Sequence, residues 1–142
     1  MKASYRQLLG EHEMIERAAR DLLSDLGNDR ADAASLSKQL DELARVVEGH
    51  IKVEDAVISD FDADRLTGPW TAAWVDGMAA FDRLKADWTI YLRVWDRAAI
   101  ERDGNGFRSA SETILPRLRE RIQMETTAFY ATALQTGAIE LR

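Results

Sequence analysis

Apolar residues recur along this chain at steps of three and four, interrupted only where turn-forming residues gather. Leu8, His12, Ile15, Ala19, Leu22 and Leu26 fall on one side of a first helix. Leu40, Leu43, Val47, His50, Glu54, Val57 and Phe61 carry the same step through a second. The interruptions are Gly27-Asn28-Asp29, the stretch from Asp60 to Pro69, and Asp103-Gly104-Asn105-Gly106. Gly68 is placed to cap a third helix with Pro69 at its first position, where a missing N–H costs nothing. That helix carries Trp74, Phe81, Trp88 and Trp95 at a seven-residue interval. The stripe reads as core packing rather than a cofactor pocket, because rings of that size fill a bundle interior. A fourth helix is expected to open on Ser109-Ala-Ser-Glu112, a capping-box pattern. It runs through Ile114, Leu118, Arg121, Glu125 and Phe129, with a kink at Pro116. Four helices with short links predict an all-α protein: an antiparallel up-down-up-down four-helix bundle.

Five members of these inward stripes are polar: His12, His50, Glu54, Arg121 and Glu125. Burying them is costly unless they satisfy one another or a bound ion. His50-Ile-Lys-Val-Glu54 and Arg121-Ile-Gln-Met-Glu125 read as two copies of one motif, each with a basic group and a carboxylate four residues apart. On a helix that spacing turns both groups to the same side. Histidine with glutamate at this spacing is half of a metal site. The arginine copy cannot be the same thing, because a guanidinium has no lone pair to offer. A lone histidine on an apolar face is more often a hydrogen-bonded core residue than a ligand. Here the chain has only 2 His and both fall on inward stripes, so the two readings stand level. Glu11, Glu13, Glu16, Arg17 and Arg20 look like an ordinary solvated helix face.

Composition bounds the rest. A chain of 142 residues suits one domain, here taken as 1–142. A formal charge of −6 with no basic stripe argues against unspecific nucleic-acid binding. The absence of cysteine suits a reducing compartment. No apolar run exceeds four residues, and Met1-Lys-Ala-Ser-Tyr-Arg lacks the apolar stretch of a secretory signal. The expectation is a cytoplasmic protein with neither membrane nor nucleic acid as partner. It is a monomer or a homodimer, the latter if Trp70 or Trp74 is left exposed. No separate acid, base or nucleophile set is visible, so a binding role is favoured over an enzyme.

Glu11-His12-Glu-Met-Ile15 on a first helix and His50-Ile-Lys-Val-Glu54-Asp55 on a second resemble the hemerythrin-like (HHE cation-binding) domain family. The resemblance covers nearly the whole chain, including Arg121-Ile-Gln-Met-Glu125 with Phe129-Tyr130 after it. It implies a four-helix bundle that holds two irons and binds oxygen, senses it or handles iron. Carried over residue by residue, it implies that His12 and His50 bind one iron and that Glu54 and Glu125 lie between the two metals. The second iron needs imidazoles from the second half. His12 precedes His50 by 38 residues and Phe81 precedes Arg121 by 40, so Phe81 and Arg121 stand where those imidazoles belong.

Two outcomes follow for the pocket. In one, a single Fe, Mn or Zn ion is held by His12, His50, Glu54 and Glu125, and Arg121 replaces the missing cation against the outer carboxylate oxygens. In the other, no metal binds and Arg121 pairs with Glu54 or Glu125 in a buried network. The expected function is sensing, regulation or metal handling. The competing reading is a metal-free helical interaction module with a protein partner.

Overall fold

The computed structural model describes residues 3–28, 31–59, 69–137 and 139–141, and their side chains except at 69–74, 128, 129, 132 and 136. The described chain is all-helical: α1 (Tyr5–Leu26), α2 (Ala33–Ser59), α3 (Pro69–Val94), α4 (Arg97–Arg102), α5 (Gly104–Met124), a π-helical turn (Glu125–Phe129) and α6 (Tyr130–Thr136). Ser4 caps α1 by accepting from the Gln7 amide, and Asp32 does the same for α2 through Ser35. Gly27 closes α1, and Pro69 is the first residue of α3, as its chemistry predicts. Gly68, Phe61 and the rest of the expected second connection lie outside the described residues, as do the side chains of Trp70, Trp74 and Phe129.

The second half is more broken than the periodicity predicts. The third segment stops at Val94, and Asp96 caps the short α4 by accepting from the Ala99 amide. Trp95 therefore stands between helices, half-buried, with its ring 5.6 Å from Phe107. The fourth long helix begins at Gly104, not at Ser109: Asp103 supplies the cap to the Gly106 amide, and the glycine-rich stretch that reads as a turn is the first turn of α5. The Ser109-Glu112 pattern is mid-helix, where Glu112 pairs with Arg108 and the Ser109 carbonyl accepts from Thr113. Pro116 lies inside α5.

α1 packs against α2 and α5, α3 against α5, and α4 against α2 and α5. The main core holds Ile15, Leu22, Leu43, Val47, Trp88, Tyr91, Phe107 and Leu115. The core expected of the aromatic stripe is present at Phe81 and Trp88, both buried. A second apolar cluster gathers Leu8, Val57, Tyr130, Ala133 and Ile139. Gly137 ends α6 with φ 78°, a left-handed conformation that glycine adopts without strain. The chain then returns to pair Glu140 with Ala3 and Tyr5. The two clusters are not continuous. On α1, His12 falls between Leu8 and Ile15, and on α2, His50 and Glu54 fall between Val47 and Val57. A polar layer thus separates two apolar ones.

Candidate metal centre

That layer contains all five polar residues of the inward stripes. His12, His50, Glu54, Arg121 and Glu125 are all buried, the two carboxylates almost completely. His12 Nε2 lies 3.2 Å from His50 Nε2 and 2.8 Å from Glu125 Oε1, and His50 Nε2 lies 3.1 Å from the same oxygen. One ligand atom each from His12, His50, Glu54 and Glu125 falls within 4.8 Å of the others.

The far ring nitrogens fix the tautomers. His50 Nδ1 is 2.7 Å from Glu11 Oε1, and His12 Nδ1 is 3.0 Å from Thr126 Oγ1. The Thr126 hydroxyl donates its own proton to the Ile122 carbonyl, so toward His12 it accepts. Both imidazoles therefore donate from Nδ1 and, when neutral, turn the Nε2 lone pair inward. This is the arrangement by which outer hydrogen bonds orient metal-bound histidines. Glu11, which reads as a solvated surface residue in sequence, is thus a partner of the centre, because α1 packs on α2 with that carboxylate over His50.

The carboxylates divide their oxygens between two tasks. Arg121 donates from Nε to Glu125 Oε2 at 2.6 Å and from Nη2 to Glu54 Oε1 at 2.9 Å. A third donation runs from Nη1 to the Gly77 carbonyl at 3.1 Å. The guanidinium stacks on Phe81, 4.2 Å from the ring centroid, an added attraction for a buried cation. Phe81 and Arg121 thus pack on each other. Beside them the space left is a mainly apolar void of about 20 Å³ bordered by His50, Phe81, Arg121 and Glu125, enough for about one water. The inner oxygens, Glu125 Oε1 and Glu54 Oε2, face the imidazoles. Glu54 Oε2 is 2.8 Å from His50 Nε2, but not along an N–H direction, and it is a buried oxygen without a hydrogen bond.

An additional oxygen, not singled out in sequence, completes the group. Tyr130 Oη lies 2.7 Å from His12 Nε2, 3.4 Å from His50 Nε2 and 3.2 Å from Glu125 Oε1. It reaches the centre because of the π-turn, where the Tyr130 amide bonds back to the Glu125 carbonyl. The Thr126 and Thr127 hydroxyls bond to the carbonyls of Ile122, Gln123 and Met124 around that turn, a back-bonding that helps bend helices. In a regular helix the 3.6-residue period selects Phe129; the extra residue in the turn advances the phase to Tyr130. Only the chain order Phe129-Tyr130 hinted at it.

The electrostatics are those of a cation site occupied by protons. Burial works against charge on His50, yet the carboxylates of Glu11, Glu125 and Glu54 outweigh it and push its pKa up to about 11. Burial and the neighbouring Glu125 push Glu54 up to about 7. Burial opposes ionisation of Glu125 too, but its hydrogen bonds and Arg121 hold it well below the usual carboxylate range. Burial and the two carboxylates raise Tyr130 above the ordinary phenol range. Two ring nitrogens 3.2 Å apart and the inner carboxylate oxygens beside them are held together by shared protons. A metal ion could take the place of those protons among His12, His50, Glu54 and Glu125, and two imidazoles with two carboxylates are a donor set of the kind that holds Fe, Mn or Zn.

Comparisons with family models, curated proteins and solved structures found no match. Among the described residues, no helix is long and apolar enough to cross a membrane.

Proposed function

We propose that this chain is a hemerythrin-like, up-down-up-down helical bundle that holds one metal ion rather than two, and that it serves metal handling or sensing rather than catalysis. His12 and His50 would hold the ion through Nε2, and Glu54 and Glu125 through their inner oxygens. Glu11 and Thr126 orient the imidazoles. Arg121 takes the charge role of the second ion. The observation that carries this reading is the convergence of one ligand atom each from four buried residues, His12, His50, Glu54 and Glu125, within 4.8 Å of one another. Repulsion between the ion and Arg121 does not decide against it. The guanidinium binds the outer oxygens, so the carboxylates lie between it and the centre, and Coulomb energy favours the closer oxygens. An open cleft of about 880 Å³ between α1 and α5, lined by His12, Pro116 and Gln123, offers access from solvent.

Metal analysis of protein expressed with added Fe, Mn or Zn tests this. About one ion per chain is expected in the wild type and near none in His50→Ala. Metal-free wild type would sink the reading. It would favour instead a metal-free interaction module, for which Arg121, already neutralising both carboxylates, is the supporting observation.

A further inference from the structure

The hydroxyl of Tyr130 points into the same small volume as the four candidate ligand atoms. Its polar neighbours there include His12 Nε2, His50 Nε2 and Glu125 Oε1, all members of that ligand set. Tyr130 is fully buried among Leu8, Val57, Ala133 and Ile139, so its ring is held by packing rather than by the pocket alone. Resting on the one-metal reading, we infer that Tyr130 is a fifth ligand, a phenolate, and that the ion this donor set favours is ferric iron.

Two arguments carry the assignment, and the charge balance is compatible with it. The first is position. Five residues of regular α-helix turn through about 500°, which would leave Tyr130 about 140° round from Glu125. The π-turn over Glu125–Phe129 brings the two side chains back to the same centre. Such turns are uncommon and recur at functional sites. The second is donor type. Two carboxylates and a phenolate give three anionic oxygens, a hard set that divalent zinc or copper does not require. Charge permits the assignment without deciding it. Glu54, Glu125, the phenolate and Arg121 sum to −2, so a trivalent ion leaves +1, which faces Glu11 across His50. A neutral phenol with a divalent ion leaves the same +1, so ionising the phenol offsets the higher ionic charge. When the ion enters, the Tyr130 O–H bond, the His50 Nε2–H bond and any Glu54 O–H bond break, metal–oxygen and metal–nitrogen bonds form in their place, and those protons leave to solvent; no electron changes hands.

The test uses the full chain loaded with ferric citrate, with iron per chain measured beside the visible and resonance Raman spectra. Wild-type protein is expected to hold about one iron and to show a phenolate-to-iron charge-transfer band with tyrosinate ring modes. Tyr130→Phe is expected to keep iron and lose the band. Tyr91→Phe, which removes a hydroxyl bonded to Ser111 in the main core, is expected to keep both. Bound iron without the band in the wild type, or a band that survives in Tyr130→Phe, overturns the ligand assignment while the one-metal reading stands. Loss of all iron binding by the wild type removes both. If Tyr130→Phe does not fold, the wild-type Raman spectrum decides. Ring modes that shift on deuterating tyrosine support the assignment, and modes that stay in place overturn it.

Discussion

Arg121 shows how a single buried side chain can balance the charge of two carboxylates. Its guanidinium meets Glu54, Glu125, the Gly77 carbonyl and the face of Phe81. Removing one partner of a buried ion pair strands the other charge, at about 3–5 kcal/mol. In Arg121→Met two carboxylates lose that partner at once, so metal-free protein is expected to lose at least this much in urea unfolding, and added divalent metal is expected to restore part of it. A change below about 1 kcal/mol would mean that the pair is not buried in solution. Phe81→His combined with Arg121→His replaces the stacked pair by two imidazoles, and metal capacity is expected to rise from one ion toward two. An unchanged stoichiometry would show that the two halves are wrongly aligned. Glu11→Gln leaves the ligands in place but weakens the acceptor on His50 Nδ1. Loss of such an outer partner typically costs 10–100-fold in metal affinity, and a competition titration against a chelator reads it.

Helix boundaries follow side-chain caps more closely than they follow composition. Asp103 both ends α4 and caps α5, so the Gly104-Asn105-Gly106 run enters a helix that its residues disfavour. Asp103→Ala is expected to cost about 1 kcal/mol, lowering the thermal midpoint by a few degrees, with metal content unchanged. A simultaneous loss of metal would mean that the start of α5 and the centre are coupled. The π-turn acts at the same scale but on the site. Sequence periodicity follows Glu125 and reaches Phe129, because a one-residue slip in helical phase leaves no mark on the apolar pattern. The paired threonines after Glu125 are the local chemistry that accompanies the slip.

Proton uptake couples the centre to the stability of the whole molecule. In metal-free protein the pKa of His50 sits up to about 11 against an ordinary 6.5, and that of Glu54 up to about 7 against 4.5. In both cases the folded chain binds the proton more tightly than the unfolded chain. The stabilisation is complete below the ordinary value and is lost as pH rises, between 4.5 and about 7 for Glu54 and from 6.5 toward 11 for His50. Metal-free protein is therefore expected to weaken in urea from about pH 6.5 to 9, by at most about 1.4 kcal/mol per pH unit for one proton. Bound metal, which competes with those protons, should flatten the decline. A midpoint that climbs with pH in metal-free protein would contradict the proton-occupied centre. The helical character of the chain, its inward stripes and the five polar residues on them were all legible in sequence, because a 3.6-residue period and residue identity are local properties. Tyr130 in the centre, Glu11 on His50 and the contacts of both Nε2 atoms with Glu125 depend on helix phase and on which neighbour faces which nitrogen. Those are relations between helices, and only the tertiary structure decides them.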